Sequence, residues 1–490
     1  MRAGLLYQDA EPVWSEKPDA RWDERFADLE LEHILKAMSG GNNEIYSVCR
    51  QLLDRPLQSG EEIIFRQDIL RDCIARPGLI RRLYRICQEA EGKRRGSWYR
   101  LSSRYLSSIY SSAAYLLNIY MEALVEIRRA VENVKFSSEG LRRFSSTLSR
   151  ELSEEYLDEV RSLESGLDQS DGILISAGFG SFLQGISYVK RQQDRGFARL
   201  RWLTLPSYTV AERDMAGAAD LGARRDRAIN EVANAMAQAA DSLESFTEQL
   251  RKELAFYVGA LNLRDRLEKL GLPHSFPVPD RDGKQLWREL CDCSLGLLKG
   301  GEVVGNTLEM GGKKLCLITG ANQGGKTTFL RSIGQCQLMA QCGLFVCAES
   351  CVFPVKRCIY THFKREEDAE MDSGKLDEEL GRMSGIIDGM VPGGMLLSNE
   401  SFASTNDPEG SEILSQITRA LLERDVEMFT VTHLINYAMK FAELPETLCL
   451  RADRRENGKR SFRLILGKPL KTAFGEDIFK KIFSASEETQ

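Results

Sequence analysis

Over the first two-thirds of the chain, apolar residues recur at three- and four-residue steps, the spacing of one face of an α-helix. One such stripe, Leu106, Ile109, Ala113, Leu117, Tyr120, Met121, Leu124 and Ile127, predicts an amphipathic helix whose serines face outward. A longer stripe begins near Arg224. Here Ile229, Met236, Leu243, Leu250 and Tyr257 fall at seven-residue intervals, and Ala233, Ala240, Leu254 and Leu261 widen the same face. At about 1.5 Å per residue this is a rod of about 50 Å, either packed into a helical bundle or acting as a lever between two distant sites. Between the two stripes, "GILISAGFGSFLQGISYVKRQQ" carries glycines and short apolar runs, which predict strands or hairpins inserted in a helical frame.

The helical pattern breaks at "LEKLGLPHSFPVPDRDGK", where Gly271, Pro273, Pro277 and Pro279 cluster. Beyond it, short buried runs alternate with helical ones: Leu315 to Thr319 reads as a strand, Thr327 to Gln341 as a helix, and Met395 to Ser398 as another strand. Such alternation predicts an α/β fold with an open, mostly parallel sheet. Asn457-Gly458 in "RADRRENGKRSF" adds a hairpin signal near the end. The chain thus divides into an all-α region, 1–262, with an inserted segment at about 168–222, and an α/β region, 263–490.

A length of 490 residues is enough for several units with sizeable cores. The net charge of −6 excludes a polycation that coats nucleic acid indiscriminately, so any such contact is local. One stretch offers it. From Lys190 to Arg227, nine basic residues, including Lys190, Arg191, Arg195, Arg199 and Arg201, face five acidic ones. That excess suits either a phosphate backbone or a solvated surface. The N-terminus lacks the apolar core of a secretion signal, and no apolar run is long enough to span a bilayer. Twelve cysteines without zinc-type pairing read as free thiols of the reducing cytoplasm.

The chemistry is concentrated in "LITGANQGGKTTFLRSIG". Gly320, Ala321, Asn322, Gln323, Gly324, Gly325, Lys326 and Thr327 satisfy the G-x-x-x-x-G-K-[ST] pattern of a phosphate loop, with Thr328 next in the helix. Glycines let backbone N–H groups turn inward around a β-phosphate, and the helix N-terminus adds its positive end. Lys326 then reaches the β- and γ-phosphates, and Thr327 ligates Mg²⁺, which makes ATP and Mg²⁺ the expected ligands. "MLLSNES" supplies a partner strand. Glu400 stands where a general base polarises an attacking water, and Asn399 stands where an aspartate usually holds the Mg²⁺ shell through water. Asparagine keeps the acceptor oxygen without the charge, so hydrolysis is expected to be slow. In "FTVTHLINYA", His433 follows an apolar strand, as a γ-phosphate sensor or as a structural histidine.

Taken in order, "LITGANQGGKTTFLRS", "DSGKLDEEL", "LLSNESFASTNDPEG" and "VTHLINYA" resemble the ATPase domain of the MutS family of DNA mismatch-repair proteins, a branch of the ABC-type ATPases. Asn399 and Glu400 take the family's Asp-Glu place, Thr405 its threonine and Gly410 its closing glycine. "DGILISAGFGSFLQGISYV" and the helix after it resemble the family's clamp and lever region. The resemblance implies a dimer, of identical or related chains, in which each ATP site is completed in trans by a serine, here Ser373. It also implies that Asn306 lies near the nucleotide. Val303 replaces the aromatic expected just before it. The family's mismatch-reading domains would need a couple of hundred residues ahead of the lever, and this chain has almost none. Phe246-Thr247-Glu248 shares letters with the family's Phe-x-Glu wedge but falls on the packed face of the long helix.

These readings combine into an ATP-dependent DNA clamp of MutS type, without membrane attachment, that holds a DNA shape rather than a sequence. The alternative is an ABC-type ATPase acting on a protein partner. A kinase using the same loop is disfavoured, because Glu400 and His433 suit attack by water.

Overall fold

The computed structural model describes residues 2–10, 12, 14, 18–19, 21–96, 106–155, 175–179, 185–190, 210–211, 213–365, 374–454 and 460–470. The chain opens with helices α1 (Trp22–Asp28), α2 (Leu31–Ser39), α3 (Asn43–Asp54) and α4 (Gly60–Ala75). These are followed by α5 (Pro77–Gly96), α6 (Leu106–Val131) and α7 (Glu139–Glu151). An antiparallel ribbon, β1 (Ile175–Phe179) and β2 (Gly185–Lys190), precedes the long helix α8 (Met215–Lys269). Contacts divide the chain into two compact units: Met1–Leu5 with Arg76–Leu254, and Leu6–Ala75 with Ala255–Gln490. Helix α8 contributes to both.

In the first unit, several stripe positions of α6 and α8 are buried as predicted, while Leu117 and Leu243 are half-buried. Ala113, Leu124 and Ile127 of α6 are buried, and Ala113 clusters with Ala233 and Met236 of α8. Ser112 departs from the expectation: it is buried rather than facing outward. Helix α8 starts nine residues before Arg224, because the intervening "MAGAADLGA" is rich in alanine, the strongest helix former. Phe246 and Thr247 are buried on its packed face.

The second unit holds two sheets. The shorter strands are β3 (Val278–Asp280), β4 (Leu286–Leu290), β5 (Asn306–Glu309) and β7 (Ser350–Pro354), in the order β3-β7-β4-β5. The main sheet contains β6 (Leu315–Thr319), β8 (Ile359–Phe363), β9 (Met395–Asn399), β10 (Glu427–Val431), β11 (Thr447–Arg454) and β12 (Arg460–Leu466). Its order is β12-β11-β6-β10-β9-β8, parallel throughout except for the β11–β12 pair. This is the mostly parallel sheet that the alternating pattern predicts. The β11–β12 pair is the expected hairpin, although Asn457 and Gly458 lie outside the described residues.

Central strands β6 and β10 are buried along their whole length, which explains why they read as continuous apolar runs. Among the described residues, five helices accompany these sheets: α9 (Cys293–Lys299), α10 (Lys326–Gln341), α11 (Lys375–Gly389), α12 (Asp407–Glu423) and α13 (Ile435–Phe441). Leu315, Leu317, Leu396 and Met428 of the sheet pack with Met383, Ile386, Leu414 and Tyr437 from α11, α12 and α13. Helix α10 packs against β9 and β10 and is buried on nearly every side. Its polar Gln335 and Gln341 therefore need partners, and they bond to Leu29 and Leu57 carbonyls of the N-terminal helical segment at 2.9 Å each. Among the described residues no helix is long and apolar enough to cross a membrane. The twelve cysteines are free thiols, ten of them buried.

Candidate functional site

The "GANQGGK" segment turns tightly between β6 and α10. Gly320 and Gly325 have φ of 113° and 89°, which side chains resist, and a Cβ on Gly324 would lie 2.7 Å from the Cβ of Ala452. The glycines are thus required twice, once by backbone conformation and once by the close approach of the β11–β12 hairpin. Gly325 precedes the first turn of α10, so the N-terminal N–H groups of that buried helix open at the loop.

Lys326 is buried and curls back, its Nζ donating to the carbonyls of Gly320 at 2.9 Å and Ala321 at 3.0 Å. One residue on, Thr327 Oγ1 donates to Asn399 Oδ1 at 3.0 Å. Strand β10 lies between β6, which leads into the loop, and β9, which ends at Asn399. The chain then turns sharply: Glu400 has φ of 54° and Phe402 of 58°, each costing about 1 kcal/mol in a residue with a side chain. The Glu400 N–H donates to the Val431 carbonyl at 2.8 Å, which fixes the turn against β10. Gly410 is required beside it, since a Cβ there would lie 2.6 Å from the Phe402 carbonyl.

Glu400 and His433 meet, with Oε1 3.1 Å from Nε2. The His433 hydrogen bond holds the Glu400 carboxyl below the usual range against its partial burial, helped by the charges of His433, Lys326 and Lys364. His433 Nε2 is also 3.4 Å from Lys326 Nζ. Two residues beyond the histidine, at the start of α13, the Ile435 N–H donates to the Asp407 carboxylate at 2.7 Å. Asn406 is the N-cap of α12, its side chain accepting from the Glu409 N–H at 3.0 Å.

Lys326, Thr327 and Glu400 open on a cavity of about 560 Å³ whose wall also includes Asn306, Asn322, Gln323, Gly325, Thr328, Val303 and Phe462. Asn306 is buried in β5. It accepts from the Leu464 N–H at 2.7 Å and donates to the Phe462 carbonyl at 3.5 Å, which pins β12 beside the loop. Phe462, 47% exposed, gives the cavity an aromatic wall that sequence reading missed; its position across a hairpin from the loop left no local signal. Asp292, also on the cavity wall, caps α9 and is ion-paired with Arg331 of α10.

The structure therefore brings Lys326, Thr327, Asn399, Glu400 and His433 together, with Asn306 on the cavity that Lys326, Thr327 and Glu400 line. Gly320, Ala321 and Gly324 shape the loop's backbone. Ser373 lies outside the described residues, two positions before α11 begins. Of the basic candidates, Lys190 ends β2, while Arg191, Arg195, Arg199 and Arg201 lie outside the described residues.

A glycine-rich strand-to-helix turn facing a carboxylate across a mostly parallel sheet defines an α/β protein with a polar site at the C-terminal ends of its strands. Residues 58–270 match the model of the MutS2 N-terminal domain, and residues 316–475 match MutS domain V. The chain belongs to the MutS family. It is 31% identical over 159 residues to the endonuclease MutS2 of Thermus thermophilus, covering 32% of this chain and 21% of that protein. Human MutS protein homolog 4 is 28% identical over 166 residues, 34% of this chain and 18% of that one. The DNA mismatch repair protein MutS of Thermus aquaticus is 28% identical over 177 residues, 36% and 22% respectively. The matched stretch thus spans about a fifth of each of these relatives.

Proposed function

We propose that this chain is an ATP-hydrolysing, DNA-binding protein in which occupancy of the phosphate loop controls a grip on DNA. The observation that carries this reading is that Lys326, Thr327 and Glu400 line one cavity, with Asn399 bonded to Thr327 and His433 to Glu400 directly beside it. The names of the relatives, a DNA mismatch repair protein and an endonuclease among them, support DNA as the partner and repair or recombination as the setting.

The residues fit the ligands. A glycine cradle at a helix N-terminus suits a polyphosphate, and Lys326 exchanges its carbonyl partners for phosphate oxygens. Thr327 Oγ1 and Asn399 Oδ1, already 3.0 Å apart, are the hard oxygen donors that Mg²⁺ prefers. When bound, the metal neutralises charge on the β- and γ-oxygens. Glu400, kept ionised by His433, accepts a hydrogen bond from water and aligns it for attack, and His433 responds to the γ-phosphate. With asparagine in place of aspartate, the metal site carries one negative charge fewer, and turnover is correspondingly slow.

Ser373 of a second copy, or of a related chain, completes the site, and closure of the pair moves the α8 lever and the segment around 168–222. Lys190, Arg191, Arg195, Arg199 and Arg201 then meet DNA phosphates, so the grip follows DNA shape rather than sequence. The test is DNA binding by the full chain, with and without ATP, across a salt series. The expected affinity falls steeply with salt, depends on ATP, and weakens when Arg195, Arg199 and Arg201 are replaced together by alanine, with a shallower salt slope. Binding unchanged in the triple variant overturns the DNA reading in favour of a protein partner.

A further inference from the structure

Outside the cavity, directly behind Glu400, a chain of buried polar groups is left over by the site as described. His362 in β8 and Ser398 and Ser401 at the end of β9 are almost wholly inaccessible. His362 Nε2 lies 3.2 Å from the carbonyl oxygen of Glu379 in α11, which can only accept, so Nε2 carries the proton and Nδ1 is left as an acceptor. Ser401 Oγ, 2.6 Å from Nδ1, donates to it and accepts in turn from Ser398 Oγ at 2.7 Å. The His362 carbonyl, 3.1 Å from the same hydroxyl, is the weaker competitor for its single hydrogen. The imidazole also stacks on Phe402, with centroids 5.7 Å apart and planes at 26°.

Ser401 and Phe402 are the two residues that follow Glu400, and the left-handed conformations at Glu400 and Phe402 are those of this same turn. Left-handed residues with side chains persist only where the surroundings over-determine them. His362 supplies that determination on two sides, a hydrogen bond to Ser401 and a stacked face for Phe402. Its third contact, to Glu379, ties the turn to α11.

We propose that His362, acting through Ser401 and Phe402, is a positioning residue that holds the turn aiming the Glu400 carboxylate into the cavity. This rests on the reading of Glu400 as the water-orienting group. It separates two substitutions that a purely structural role would treat alike. In His362→Asn the carbonyl oxygen can occupy the place of Nδ1 and still accept from Ser401. In His362→Gln the amide nitrogen can occupy the place of Nε2, and the acceptor is lost.

The experiment measures steady-state ATP hydrolysis and thermal unfolding of the full chain carrying Ser401→Ala, His362→Gln, His362→Asn, or Ser401→Ala with His362→Gln. Ser401→Ala and His362→Gln are expected to lower kcat about tenfold, since a small misplacement of a reacting group suffices for that. KM for ATP stays within about twofold, because phosphate binding is untouched. His362→Asn recovers most of the lost kcat, and the double variant is no slower than either single one. Equal impairment by Asn and Gln, unchanged kcat in Ser401→Ala, or losses that follow the folded fraction overturn the proposal. Ser401→Ala, the smaller change, decides the matter if His362→Gln does not fold. Glu400→Gln separates the two levels of argument. Normal turnover there, or none in the unaltered chain, removes the reading of the site and this inference with it. A dead Glu400→Gln beside normal Ser401→Ala and His362→Gln removes the positioning role alone.

Discussion

Burial, reinforced by the Arg382 guanidinium on α11 and by Arg365 just beyond β8, holds His362 neutral and pushes its pKa down to about 4 from an ordinary 6.5, against the opposing hydrogen bond to the Glu379 carbonyl. The unfolded chain therefore binds a proton that the folded chain refuses, and stability falls as pH drops from about 6.5 toward about 4. Between about pH 7 and about pH 5 this one group removes about 2 kcal/mol of stability. Denaturant midpoints at the two pH values should show a smaller loss in His362→Gln than in the unaltered chain; an equal loss contradicts the assignment. Residues such as this were illegible in the sequence, because their partners are remote: His362 and Ser401 are 39 positions apart, and Phe462, also missed, lies 156 positions from Asn306, which the family resemblance alone brought forward. The letters of Lys326, Thr327, Asn399 and Glu400 stood out instead because the motifs that hold them have fixed local spacing.

Helix α10 is buried on nearly every side, and Gly334 is the reason it can be. A Cβ there would lie 2.5 Å from Leu29 Cδ2 and 2.6 Å from Leu397 Cδ1, so the helix touches the α1–α2 junction on one side and β9 on the other. Gly334→Ala is expected to cost about 1–3 kcal/mol, because helix propensity gains little against overpacking at two fronts. Urea unfolding checks this, and a stabilised variant would contradict the tight approach. The main-sheet strands were legible as apolar runs because the sheet is covered on both faces. The smaller sheet was not: β3, "VPD", and β5, "NTLE", are too short and too polar to signal strands, and only pairing with their neighbours defines them. The early start of α8 escaped for a different reason, since "MAGAADLGA" carries helix propensity without an apolar stripe.

For the whole molecule, the feature that matters is that one helix, α8, belongs to both compact units, the first containing the ribbon β1–β2 and the second containing the glycine-rich loop before α10. In the proposed function that continuity is what lets a change at Lys326 and Glu400 be felt in a DNA-gripping segment. Everything downstream depends on ATP being hydrolysed at this cavity. The most direct measurement is single-turnover phosphate release together with equilibrium ATP binding, on the unaltered chain, Glu400→Gln and Lys326→Ala. The expected result is that Glu400→Gln binds ATP within about threefold of the unaltered chain but releases phosphate at least about a hundredfold more slowly, while Lys326→Ala loses tight binding altogether. Phosphate release from Glu400→Gln at the unaltered rate, or full ATP affinity in Lys326→Ala, would contradict the account.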